Sequence, residues 1–118
     1  MVRMMKVKGE AIWIMCLLFI LGGVIASLTT YIGITYLGLS ETNPFMAEMF
    51  AKYGMVNALI LANLVELAIG LGVAILGTHP RTWERYSLPM LIDLAIFATI
   101  TLTDALGNII VVLEVIVK

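Results

Sequence analysis

The chain has 118 residues, of which 62% are hydrophobic and 13% charged, and its mean hydropathy is +1.08. Soluble domains run at about 45–50% apolar and about 25% charged, and a compact protein of this length has too little interior to hide so much apolar surface. The composition argues against a water-soluble enzyme and excludes a disordered chain or a disulfide-stapled fold. A net charge of −1 excludes nucleic-acid binding through a large basic field. The single cysteine, Cys16, has no partner for an intramolecular bridge.

The charges divide the chain into spans. Arg3, Lys6, Lys8 and Glu10 form a polar start, and no charge follows from Ala11 to Leu39. That stretch is ample for one membrane crossing. A basic start, an apolar run and small residues near Ala26 also fit a cleaved signal peptide, but the apolar run continues well past that point. Met55 to Gly77 is a second apolar run, interrupted by Asn57, Asn63 and Glu66. Leu88 to Val117 is a third, with Ser87 and Pro89 reading as its cap and first turn. In lipid each run must be helical, because its backbone groups find no water. The expected fold is an all-α, single-domain integral membrane bundle with transmembrane helices at about 11–39, 55–77 and 88–117.

Between the first two runs, Asn43 before Pro44 reads as an N-cap with proline at the first helical position, and Gly54 as a C-terminal cap. Phe45, Met46, Met49, Phe50 and Tyr53 recur at helical spacing, with Glu48 and Lys52 opposite. This predicts a short amphipathic helix at about 44–53, lying on the outer membrane surface; the alternative is a re-entrant segment. The basic residues Arg3, Lys6, Lys8, Arg81 and Arg85 fall on one side of the membrane, against Lys52 and Lys118 on the other. The positive-inside rule then places the N-terminus in the cytoplasm and the C-terminus outside. Trp13, Trp83 and Tyr86 fall at the inner interface on this reading, and Tyr36 and Tyr53 at the outer one.

The unusual chemistry is acidic and lies within the apolar runs. At about 1.5 Å of rise per residue, Glu66 is roughly 16 Å from the outer end of its helix and Asp104 roughly 24 Å from the inner end of its own. Across a membrane about 40 Å thick with its interfaces, the two carboxyls share a depth. Asn63 and Asn108 match one turn further out, and Thr29 and Thr30 fall in the same layer. No Lys, Arg or His lies in any of the three runs. A lone charge at the bilayer centre costs about 2.5–3.5 kcal/mol even on a lenient scale, so the acids are protonated, share a proton, line water or hold a cation. Glu66, Asp104, Asn63, Asn108 and Thr30 form the candidate proton or cation site. An all-oxygen donor set suits a proton or hard cation rather than zinc or copper.

Facing follows from helical spacing. Asp93, Phe97, Ile100, Asp104, Gly107 and Asn108 trace one side of the third helix, with Thr101 flanking it; Asn63, Glu66 and Gly70 share a side of the second. Gly22, Ala26 and Thr30 form a small-xxx-small stripe that allows close helix approach, expected to face the polar sides of the other two. Against a functional site stands a bland reading, in which these groups only hydrogen-bond across helices. Asp93 and His79 read as structural and solvated respectively. The parallel between Leu64–Ile69 and Leu91–Ile96 is too short to establish a repeat.

The passage from Ala26 to Gly33, followed by Leu37-Gly38-Leu39-Ser40-Glu41-Thr42-Asn43-Pro44-Phe45-Met46, resembles an uncharacterised prokaryotic family of small integral membrane proteins. It covers about twenty residues and carries an L-G-x-x-E-x-N-P-x-M turn after the first helix. Such proteins tend to carry an acid before the threonine, where this chain has Ser27 and Leu28. The resemblance implies no known activity but draws attention to Glu41, Asn43 and Pro44. No phosphate loop, metal-spaced Cys/His set or protease motif is present, so neither enzymatic activity nor a cofactor is expected. The lipid bilayer is the expected environment, with a homo-oligomer or larger membrane complex as partner. Two functions fit best: a subunit handling protons or cations, and a structural or accessory membrane component, a viral membrane coat protein included; a third, an intramembrane enzyme using Glu66 and Asp104, has no flanking signature in its favour.

Overall fold

A computed structural model describes residues 2–118. Four helices follow in order: α1 (Val2–Leu37), α2 (Pro44–Tyr53), α3 (Met55–Thr78) and α4 (Trp83–Val117). Three stretches, Lys6–Leu37, Met55–Thr78 and Trp83–Val117, are long and apolar enough to cross a membrane. The molecule measures 54 × 32 × 16 Å, and its long axis matches the length of a 36-residue helix at about 1.5 Å per residue.

The helix ends follow from local chemistry. Asn43 caps α2 by accepting the Phe45 N–H on its Oδ1 at 3.0 Å, with Pro44 at the first helical position. Helix α1 stops at Leu37, and the Leu39 N–H folds back onto the Gly33 carbonyl at 3.0 Å. Gly38 and Gly54 adopt φ of +69° and +87°, conformations that exclude most side chains. They bracket the segment that carries α2.

The start of α4 corrects the sequence reading. The helix begins at Trp83 rather than Leu88, and Pro89 lies inside it. Proline there removes the bond to the Arg85 carbonyl four residues back, and Arg85 is exposed near the helix end. Thr82 holds the turn by donating its hydroxyl to the Leu76 carbonyl at 2.8 Å. The first helix also runs back through Lys6 and Lys8, residues expected to precede the span.

Helix α1 packs against both other long helices along two adjacent lines of small residues. Gly22 faces α4, where an added Cβ would lie 3.0 Å from the Leu102 backbone nitrogen and 2.6 Å from the Thr101 hydroxyl. Gly23, one position on, faces Glu66 of α3. Towards the N-terminal end of α1 the bundle is apolar: Ile12, Cys16, Phe19, Ala74, Leu94 and Ala98 form one buried cluster, closed by Trp83. Gly77 lets α3 approach Met90 of α4, where a Cβ would come within 2.8 Å.

Candidate functional site

Towards the α2 end, the same three helices enclose polar groups instead. A cleft of about 500 Å³ is walled by Ala62 and Glu66 from α3 and by Asp104 and Asn108 from α4. Gly23, Ala26 and Thr30 of α1 line it as well, and Glu41, Thr42 and Asn43 reach it from the loop before α2. Three carboxyl groups, those of Glu41, Glu66 and Asp104, therefore border one space, and no basic residue does.

Glu66 is half-buried, and its Oε2 is shut away from solvent without a hydrogen-bond partner among the described residues. Its carboxyl rests against Gly23, where an added Cβ would come within 2.7 Å of Cδ. The missing side chain at position 23 is thus what gives the carboxyl its place. A buried, unpaired polar oxygen lowers stability unless something satisfies it. Asp104 is exposed at the cleft and lies beside the packed face of α4 rather than on it.

The amides do different work. Asn108 donates from Nδ2 to the Ala26 carbonyl and to the Thr30 hydroxyl, both at 3.2 Å. Ser27 donates to Asn63 Oδ1 at 3.0 Å, tying α1 to α3. Asn63 is not a lining residue of the cleft; it borders a separate groove between α1 and α3 with Ser27 and Tyr31. Thr29 turns its hydroxyl back to the Ile25 and Ala26 carbonyls of its own helix.

Two expected faces need correction. The packed side of α4 runs through Leu94, Ala98, Thr101 and Ala105, not through Ile100, which is 53% exposed. Thr101 is central to that face, its hydroxyl donating to the Phe19 carbonyl of α1 at 3.1 Å. The Gly22–Ala26–Thr30 stripe meets α4, while the adjacent Gly23 and Ser27 meet α3. Gly23 and Ser27 were the residues least visible from sequence, although the paired glycines at 22 and 23 are the signal that marks them.

Glu41 has a local role as well as its place at the cleft: its Oε1 accepts the Asn43 N–H at 3.0 Å. Among the described residues no three acidic, histidine or cysteine side chains converge as a metal ion would require.

Fold and cleft together define a class: an all-helical protein with three potential membrane spans and a carboxylate-lined space between them. No protein-family model, curated protein or solved structure matches the chain.

Proposed function

We propose that the protein is a small integral membrane subunit that handles protons, or small cations, through Glu66 and Asp104. One observation carries this reading: the unpartnered Oε2 of Glu66 beside a cleft that also takes in Asp104. Carboxyl groups deep in an apolar run, with no basic partner in that run, lower stability and are typically retained for transport or proton relay. Three carboxyls that border one cleft without converging on one point fit proton transfer better than capture of one metal ion. Three helices are few to enclose a path, so the working unit is a homo-oligomer or a complex with a larger membrane protein. The N-terminus faces the cytoplasm on the positive-inside rule, and α2 lies on the opposite surface with Phe45 and Tyr53 towards the headgroups.

A second reading, a structural or accessory subunit, draws on the amides. Asn63 and Asn108 both spend hydrogen bonds on α1, which is the role of interhelical glue. It accounts for those two residues and leaves Glu66 unexplained. Vesicles containing the purified protein and a trapped pH indicator separate the two. The transport reading expects a proton flux that Glu66→Gln and Asp104→Asn each abolish. Flux unchanged in both variants, or absent from the parent protein, overturns it.

A further inference from the structure

We infer that the segment from Leu39 to Tyr53 is a hinged lid over the acidic cleft. The inference rests on the proton-handling reading for its purpose but not for its geometry. Four observations converge on this one segment. It is bracketed by Gly38 and Gly54, the two positive-φ residues of the described chain. Its helix, α2, has no buried residue, and its helix contacts are with α3. Glu41, Thr42, Asn43 and Met46 border the cleft that holds Glu66 and Asp104. Finally, Glu41 and Thr42 also border a second cavity of about 300 Å³, between α1 and α4.

The loop therefore has open space on both sides of it, with a conformationally permissive residue at each end. Nothing in α2 anchors it as Leu94 or Ile12 anchors the long helices. Glu41 borders both cavities; turning about Gly38 moves it towards one or the other, and the Glu41–Asn43 hydrogen bond keeps the turn intact as it moves. In the seated position the lid closes the α2 end of the cleft, while Asp104 stays exposed at its side. Glu41 is then the first carboxylate that a proton or cation meets on the way to Glu66.

The hinge geometry gives the test its sign. The seated lid requires φ of +69° at Gly38, which an alanine adopts only with strain; that strain shifts the balance away from the seated state by about five- to thirtyfold. The experiment uses the full chain carrying Cys16→Ser and Ala62→Cys, the latter a half-buried, non-acidic residue bordering the cleft. Reconstituted vesicles are treated with a membrane-impermeant thiol reagent. Modification of Ala62→Cys is expected to run at least fivefold faster with Gly38→Ala. With Gly38→Asn, whose side chain tolerates positive φ, the rate stays within about twofold of the parent. Equal rates in all three proteins overturn the lid.

A second measurement does not depend on how the hinge variants fold. Spin labels at Glu48→Cys on α2 and Ile110→Cys on α4 report the lid position in a chain otherwise altered only by Cys16→Ser. A control pair at Leu17→Cys and Ile92→Cys reports the rigid bundle. The lid expects a distance distribution at the first pair that is broad or two-peaked against the control. One narrow peak, matching the control in width, overturns it. Neither readout involves flux, so the lid can fail while Glu66 still carries protons, and the reverse.

Discussion

The two halves of this bundle are built from the same three helices and solve opposite problems. In the half towards the N-terminus of α1, Ile12, Cys16 and Leu94 are almost wholly buried, with Phe19, Ala74 and Ala98 filling the space around them. Phe19 and Phe97 meet there with ring centroids 5.6 Å apart. In the half towards α2 the helices face a cleft of about 500 Å³ bordered by three carboxyls. The difference lies in side-chain size and polarity, not in backbone. One half spends its residues on close packing, and the other leaves room beside carboxyl groups that lie within apolar helices.

Breaking the packed half should have the largest effect. Leu94→Ala removes a fully buried side chain and should destabilise the protein by about 2 kcal/mol or more, the low end of the range for buried leucines. In the proposed membrane setting lipid replaces water as the competing environment, so packing rather than water exclusion carries the loss. Unfolding in mixed detergent measures it. A next test addresses the crossing of α1 and α4. Gly22→Leu should cost about 1–3 kcal/mol, because the added side chain meets the backbone at Leu102. Gly72→Ala is the control: it meets nothing within 4 Å and should stabilise by up to about 1 kcal/mol through helix propensity. If both glycines tolerate change equally, the close crossing is not what joins these helices.

Smaller effects are expected from the hydrogen bonds that tie α1 to α3 and α4 in the polar half. Ser27→Ala removes one interhelical bond and Asn108→Leu removes two, at a cost of about 0.6 kcal/mol per bond, the average for such bonds between helices in a membrane. Both variants should retain flux if the amides only hold helices together. Loss of flux in Asn108→Leu with stability preserved would move Asn108 from the packing into the proton path.

The sequence made the spans and α2 legible because each rests on one strong local signal. Scarcity of charge marks the spans, and Asn43-Pro44 marks the start of α2. The candidate acids were legible for a related reason: Glu66 and Asp104 stand out against an apolar background. Faces were harder. With Leu, Ile and Ala on every side of α4, periodicity does not single out a packed side, and the polar residues suggested a face rotated from the one that packs. The smallest residues decide that question, as Gly22 against Thr101 and Gly23 against Glu66 show. Pro89 misled because proline usually marks a helix start; here the preceding turn was already helical and close enough to its end to lose one bond. The return of Glu41 to the cleft was not legible at all, since it depends on how the Gly38 turn directs the chain.

The central claim is that Glu66 is kept for function at some loss of stability. Glu66→Met tests it most directly, since methionine has similar length and no polar atom to leave unpaired beside Gly23. Thermal unfolding and proton flux should be measured on the same preparation. The account predicts a protein at least as stable as the parent and without flux. A protein that is less stable and still conducts would contradict it.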